Sequence, residues 1–536
     1  MMQNKRIAII GAGCSGLTAI KCCLDEGLEP VCFEMDDDIG GLWNYTDDTR
    51  PGQGSVYHSC IINTSKEMMA FSDFPVPSHF PPFMPHKYVL KYFRLYAKNF
   101  NLLQHIKFSC CVESVRPAAD FAETGRWEVF TRPAGFTDSN ETSEIFDGVM
   151  ICTGHHVYPH IPNLPGLNKF KGEVIHTHDY KRPESYSDKK VLIIGIGNSA
   201  VDVAVDLSRV CSKVYLSTRR GAWIVNRMGP WGIPADALAN SRFMFSLPQN
   251  WLQWMVEKLA NYRFDHETYG VKPSHRALEA HPTINDELPQ RIMTGGVQVR
   301  TNVRTFTGDG VEFDDGTFKK IDAVVLATGY NYQFKFVDES ILKINRNDTS
   351  LFKYTFVPDL QHPTLAVIGL VQAIGAVMPI AEMQCRWYTR VVKGIVQLPS
   401  RDDMNYDILK KKEAMKNQYV SCQRHTLQTF WISFMDQLAS EVGVKPNLKS
   451  MFFEDPFLTL RCFFGPCVPA QYRLNGPGKW PGAKKTIQSA FINMSSATRT
   501  RSTTGLSGSS GLAKRYVIII LGIMLFLLCA LKLNSI

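Results

Sequence analysis

Arg6-Ile-Ala-Ile-Ile10 runs directly into Gly11-Ala12-Gly13-Cys14-Ser15-Gly16, and the pattern returns as Val191-Leu-Ile-Ile194 followed by Gly195-Ile-Gly197-Asn198-Ser199-Ala200. An apolar run followed by such glycines reads as a buried strand turning tightly into a helix. Missing side chains let backbone N–H groups approach a pyrophosphate at the helix N-terminus. One such motif is weak evidence, because tight glycine turns occur in many folds. Two of them, each followed by a second strand with a fitting terminal residue, are strong evidence. After the first, Pro30-Val-Cys-Phe33 ends in Glu34, twenty-three residues beyond Gly11. A carboxylate there accepts from ribose hydroxyls and repels a 2′-phosphate, which suits FAD or NAD. After the second, Val214-Tyr-Leu-Ser217 ends in Thr218-Arg219-Arg220, where guanidinium groups favour the 2′-phosphate of NADPH. The chain therefore reads as a flavoprotein reduced by NADPH, an α/β protein with two Rossmann-like dinucleotide-binding domains.

Two further strand ends predict how those domains interleave. Phe146-Asp-Gly-Val-Met-Ile151 leads into Cys152-Thr153-Gly154, and Ile321-Asp-Ala-Val-Val-Leu326 leads into Ala327-Thr328-Gly329. They bracket the second glycine motif, so an NADPH-binding domain, 155–330, is expected as an insert in an FAD-binding domain made of 1–154 and 331–445. Within the insert, 223–290 exceeds what a crossover needs and is rich in Trp, Phe and Met, which predicts a segment folded over the active site. Residues 446–496 are expected to form a C-terminal extension.

Composition agrees with a large globular enzyme. A chain of 536 residues is too long for one core, and 45% hydrophobic with 20% charged is ordinary. The net charge of +9 is spread along the chain, which speaks against a nucleic-acid partner. Fourteen cysteines are scattered, with adjacent pairs at Cys22-Cys23 and Cys110-Cys111, and read as reduced, mostly buried thiols. No metal site is expected. The N-terminus enters a core strand at once, so no cleavable leader is expected. The other end differs. Residues 497–513 read as a flexible linker, and Lys514-Arg515 precede Tyr516 to Leu531, sixteen residues without a charge. The segment 514–533 is read as a hydrophobic membrane anchor in contact with lipid. It is slightly short of the ~20 residues that span a bilayer core, so insertion into one leaflet or along the interface is the alternative to spanning. Its basic flank places the catalytic body on the cytosolic side. The sequons at Asn140, Asn347 and Asn493 would then carry no glycan.

Phe170-Lys-Gly172-Glu-Val-Ile-His176-Thr-His-Asp-Tyr180 matches the FxGxxxHxxxY/F signature of the flavin-containing monooxygenases, in its expected place before the second glycine motif. The resemblance to that family covers essentially the whole chain. It includes Gly40-Gly41-Leu42-Trp43, Ile61-Ile62-Asn63-Thr64-Ser65-Lys66-Glu67-Met68-Met69, Phe71-Ser-Asp-Phe-Pro75, Ala327-Thr328-Gly329-Tyr330 and the apolar C-terminus. The segments 217–223 and 270–286 look most like the fifth vertebrate form. That form resembles Baeyer-Villiger enzymes in turning ketones into esters and also oxidises NADPH without substrate, whereas other forms chiefly oxygenate soft amines and sulfides. Tyr180, however, departs from the signature of dedicated Baeyer-Villiger enzymes.

The resemblance implies an NADPH- and O2-dependent monooxygenase in which a C4a-hydroperoxyflavin oxygenates small lipophilic amines, sulfides or ketones. It also implies residence in the endoplasmic reticulum (microsomal) membrane through a C-terminal transmembrane helix. The oligomeric state stays open, a homo-oligomer included. Matching motif to motif, Gly11, Ala12, Gly13, Cys14, Ser15 and Gly16 hold the FAD pyrophosphate and Glu34 its ribose. Gly41, Leu42, Trp43, Ile62 and Thr64 lie beside the flavin. Asn63 matches the family's active-site asparagine. Gly195, Gly197, Asn198, Ser199, Ala200, Val201 and Asp202 belong to the NADPH loop, Thr218, Arg219 and Arg220 to the 2′-phosphate, and Gln372 to a ring contact. His176 is as readily structural as functional, and His281 is either a pocket residue or a surface histidine. Two rival readings fit the sequence less well. An FAD/NADPH disulfide-type reductase needs a redox cysteine pair near the flavin. None lies between Cys32 and Cys60, and Cys462 and Cys467 are far from the nucleotide motifs. A non-catalytic membrane-bound nucleotide-binding protein would not need intact glycines, Glu34, Asn63 and both arginines together.

Overall fold

The computed structural model describes residues 4–135, 141–420 and 426–501. The expected anchor, 514–533, most of the expected linker and the sequon at Asn140 lie outside the described residues. Among the described residues no helix is long and apolar enough to cross a membrane.

The first motif folds as β1 (Arg6–Ile10), α1 (Cys14–Asp25) and β2 (Glu29–Phe33), followed by β3 (Ile106–Lys107) and β4 (Gly148–Ile151). Next come β5 (Glu173–His176), β6 (Lys190–Ile194), α2 (Asn198–Leu207) and β7 (Lys213–Ser217). The long segment after them holds β8 (Ile224–Val225), α3 (Ala235–Ala239) and β9 (Thr283–Ile284). Then follow β10 (Val297–Arg300), β11 (Ala323–Leu326), β12 (Leu365–Val367), α4 (Val377–Val392), α5 (Arg401–Gln418) and α6 (Trp431–Val442).

Two five-stranded sheets result, in the orders β12-β4-β1-β2-β3 and β10-β7-β6-β11-β5, with every neighbouring pair parallel. In each, the chain reverses direction across the sheet beside the glycine-bearing strand, at β1 against β4 and at β6 against β11. Ligands of open parallel sheets bind in the crevice at that point, beyond the carboxyl ends of the strands. The unbroken apolar runs are explained by burial on both faces, since β4 is wholly buried and β1 is buried from Ile7 onward. Each such Ile or Val contributes roughly 1.5–3 kcal/mol. Helix α4 packs on α1, and Gly148 leaves room for the Tyr388 hydroxyl, which would lie 2.2 Å from an added Cβ.

The chain enters and leaves the second sheet's unit side by side. Tyr158 and Pro159 pair antiparallel with Asn331 and Tyr330. The motif Phe71-Ser-Asp-Phe-Pro75 is fastened to the C-terminal extension by buried charges. Asp73 takes Lys21 at 2.5 Å and Arg473 at 2.8 Å, and Arg473 also meets Glu382 at 2.8 Å. Against the upward push of burial, Arg473 and Lys21 hold the Asp73 carboxyl below its ordinary value. The twelve described cysteines are all free thiols.

Candidate functional site

The first loop is shaped by what its glycines lack. Gly11 sits at φ 98°, where an added Cβ would stand 3.0 Å from the Cys152 carbonyl oxygen. A Cβ on Gly16 would fall 1.8 Å from the Gly11 oxygen. Gly41, at φ 53°, brings its backbone against Gly13, and Leu42 and Trp43 complete that half-buried turn. Helix α1 has no side-chain cap and no acidic residue in its first turn. Its leading N–H groups are thus available to an anion. Glu34 is buried and grips the loop, accepting from Ala12 N at 2.5 Å and Asp36 N at 3.0 Å. Burial pushes its carboxyl up, and those two donors oppose the shift. A carboxylate has about four acceptor sites, so capacity remains for a ribose hydroxyl. Cys14 is half-buried, and Ser15 is buried against Gly369, whose added Cβ would stand 2.6 Å from Ser15 Oγ.

The second loop repeats the design. Gly195 lies at φ 126° with the Ala327 oxygen 2.5 Å from where a Cβ would be, and Gly197 opens α2, again without side-chain cap or early acid. The long segment 223–290 clamps it through β9. Thr283 Oγ1 donates to Ile196 O at 2.6 Å, and Ile284 N donates to Asn198 Oδ1 at 2.8 Å. Ser199 is half-buried, while Ala200 and Val201 are fully buried packing residues, so only their backbone can serve a nucleotide. Asp202 has its carboxylate taken up by protein. Tyr57 Oη donates at 2.7 Å, Asn285 Nδ2 donates at 2.7 Å, and Arg227 stands 3.9 Å away. At the end of β7, Thr218 Oγ1 accepts from Gly221 N, and Arg219 and Arg220 are exposed.

Asn63 is where the two halves meet. Its Oδ1 accepts from Arg227 Nη2 at 2.7 Å, and Arg227 also binds Asp286 at 3.0 Å and reaches Ile61 O at 3.4 Å. Ile62 is buried with its N–H on Met84 O, and Thr64 is half-buried. Ser65 N donates to Asp236 Oδ2 at 2.7 Å, from α3. Burial pushes Asp236 up to about 6 and also raises Glu67, against the pull of Lys66. Arg227 and Asp236 were missed from sequence. For Arg227 the available signal was a charged residue two positions after the apolar Ala222-Trp-Ile-Val225 run, where a largely buried cation requires partners.

Gln372 binds Leu427 O through its backbone, and its Oε1 is buried without a hydrogen-bond partner among the described residues. The family signature turns out to stitch the second unit together. His176 accepts from His178 N through Nδ1, packs edge-on against Tyr330 and is pushed down to about 4 by burial, while Tyr180 Oη donates to Asp206 at 2.9 Å. His281 Nδ1 lies 3.4 Å from Gln428 Nε2.

Two uncapped helix N-termini, each reached by a loop with no room for side chains, and the orphaned Gln372 oxygen fit two dinucleotide cofactors. Known proteins agree. The family described as FMO-like, flavin-binding monooxygenase-like, matches residues 4–532. Flavin-containing monooxygenase 5 of Homo sapiens is 52% identical over 493 residues, covering 91% of this chain and 92% of that relative. Dimethylaniline monooxygenase [N-oxide-forming] 2 of Pan troglodytes is 43% identical, covering 97% of each. Among solved structures, S-allyl-L-cysteine S-oxygenase from Allium sativum superposes with a TM-score of 0.63 at 23% identity, over 91% of this chain and 99% of that one. Cyclohexanone monooxygenase from Rhodococcus sp. Phi1 does so with a TM-score of 0.61 at 16% identity, over 82% and 98%. These two share the fold, and the family match over nearly the whole length settles the relationship: the chain belongs to the flavin-containing monooxygenases.

Proposed function

We propose that this FAD- and NADPH-dependent monooxygenase oxygenates small lipophilic substrates at Asn63, converting ketones to esters as well as oxygenating soft amines and sulfides, and that it also oxidises some NADPH unproductively. The observation that carries the reading is the 2.7 Å bond from Arg227 to Asn63. It ties the loop after the first nucleotide motif to the segment that clamps the second. When bound, FAD supplies the ring that accepts hydride from NADPH and activates O2. The protein's part is binding and orientation. The first loop and the start of α1 hold a pyrophosphate, Glu34 a ribose, and Gly41, Leu42 and Trp43 one side of the ring. The second loop holds the NADPH pyrophosphate. Gln372 Oε1, buried and unpartnered, accepts from a ring donor. With Oδ1 committed to Arg227, Asn63 turns its Nδ2 donors toward the reacting oxygen without adding charge.

In the same proposal the division into an FAD domain (1–154 and 331–445) and an inserted NADPH domain (155–330) follows the two parallel sheets. The apolar segment 514–533 anchors the enzyme in the endoplasmic reticulum membrane with its body in the cytosol. The ketone reaction is supported by the similarity of residues 217–223 and 270–286 to the fifth vertebrate form and by the 52% identity above. The test supplies NADPH with an aliphatic ketone or a thioether, assaying membrane pellet and supernatant separately. Ester and sulfoxide formation in the pellet is expected. NADPH consumption yielding only hydrogen peroxide, whichever substrate is present, would overturn the oxygenation reading, and full activity in the supernatant would overturn the anchor.

Arg219 and Arg220 are exposed at the end of β7. Replacing both by Ala should raise KM for NADPH by roughly 10–100-fold, since charge-assisted contacts to a phosphate are each worth ~1.5–3 kcal/mol and part of that is lost to solvent. KM for NADH should stay nearly constant. Equal losses with both nucleotides would move the 2′-phosphate elsewhere.

A further inference from the structure

We propose that a cavity between α5 and the chain at 349–354 is a binding site for one small inorganic anion of chloride size, held by Lys411 Nζ and Thr349 Oγ1. The cavity is about 10 Å³, room for a single water-sized species, and none of the residues lining it belongs to either glycine loop. Lys411 lies on α5 with its stem partly exposed, but its ammonium nitrogen is buried and has no hydrogen-bond partner among the described residues. Thr349 lines the same cavity, and its Oγ1 is likewise buried without a partner among the described residues. Two orphaned groups with hydrogens to donate, facing one small space, call for an acceptor.

The surrounding charge says which kind. Lys353, Lys411, Lys412 and Asp407 line the cavity, and two of the three lysines already have carboxylates of their own. Lys353 is drawn to Glu441 at 3.5 Å and Lys412 to Asp348 at 2.9 Å, which leaves Lys411 without an ion pair of its own among the described residues. The Tyr354 and Phe434 rings lie 3.7 and 4.5 Å from its nitrogen. Aromatic faces attract a cation but satisfy none of its three N–H groups in the way an anion does. The Tyr354 hydroxyl donates to Met415 Sδ at 3.3 Å and Thr426 O at 3.4 Å, both from residues that also line the cavity. Burial pushes the Lys411 ammonium down to about 7, against an upward pull from Asp407. A bound monovalent anion would supply a counter-charge and accept from both orphans. It would also lock α5 onto Tyr354 and, through Phe434, onto α6.

The experiment uses the FAD-loaded, full-length enzyme with NADP+ saturating, so that the site at Arg219 and Arg220 is filled throughout. Chloride is titrated against gluconate at constant ionic strength while Tm is followed. A saturable rise of roughly 2–4 °C is expected. Lys411→Met should abolish the saturable rise, and Thr349→Val should shift its midpoint about tenfold higher by removing one donor. Crystals grown in bromide should show an anomalous peak between Lys411 and Thr349. The proposal is overturned by a response identical in wild type and Thr349→Val, or by bromide density absent from the cavity. Either readout decides the matter even if Lys411→Met fails to fold.

Discussion

Gly16→Ala should give a protein with at most about a tenth of the wild-type flavin, read as the ratio of flavin to protein absorbance after purification. The added methyl would stand 1.8 Å from the Gly11 carbonyl oxygen. That atom is backbone, so no rotamer change relieves the clash. Relief requires moving either α1 or the Gly11 turn. Gly11 cannot easily retreat, because it already holds φ 98° with the Cys152 oxygen only 3.0 Å from where its own Cβ would be. Helix α1 cannot either, since Ile20, Ala19 and Leu17 are fully buried and the helix is packed on α4. Overpacking of this kind costs ~1–3 kcal/mol or more, and any shift carries the leading N–H groups away from a pyrophosphate. Gly27→Ala separates the collision from mere backbone strain. Unlike Gly16, Gly27 has positive φ, 70°, and nothing lies within 4 Å of its added Cβ, so it carries strain without collision. That variant should lose about 1 kcal/mol of stability and keep its flavin. Full flavin occupancy in Gly16→Ala would show that close approach at this turn is not what holds the cofactor.

The parts of the fold legible in the sequence are those whose signals are local. Strand β1, loop, α1 and β2, and their counterparts β6, α2 and β7, follow from apolar runs, glycine spacing and a terminal Glu34 or Arg219-Arg220 within thirty-odd positions. Strands β3 and β12 were not legible, being two and three residues long. Too short for periodicity, they are defined only by the neighbours they extend. Asp202 shows a subtler limit. Its place in the second motif suggested the nucleotide, whereas its carboxylate is turned to Tyr57 and Asn285, partners that lie 145 and 83 positions away. His176 and Tyr180 identify the family by pattern, yet their contacts with Tyr330 and Asp206 are those of packing and cross-bracing. Pattern recognition picks out motifs on the chain without revealing what each side chain touches.

The same limit bears on Asn63, whose expected behaviour depends on a partner invisible in the sequence. Asn63→Ala should retain FAD, because the first loop, Glu34 and α1 are untouched, but product formed per NADPH consumed should fall by about 10²-fold, with hydrogen peroxide making up the difference. Removal of the amide also strips Arg227 of an acceptor at 2.7 Å, so loss of the donor and release of the arginine are confounded in that variant. Asn63→Asp separates them. An aspartate keeps the acceptor and strengthens the bond to Arg227, yet has no hydrogen to donate and adds negative charge where charge develops. If the Nδ2 donors matter, Asn63→Asp uncouples as severely as Asn63→Ala while remaining as stable as wild type. If the amide serves only to seat Arg227, Asn63→Asp keeps its coupling and the donor role is wrong. Arg227→Met supplies the third corner. It leaves Asp202 buried without its cation and frees the Asn63 amide to turn, so it should lower Tm, and part of the coupling should be lost with it. Coupling unchanged in all three variants would remove the Asn63–Arg227 pair from the chemistry and leave it as a strut between the two nucleotide-binding halves.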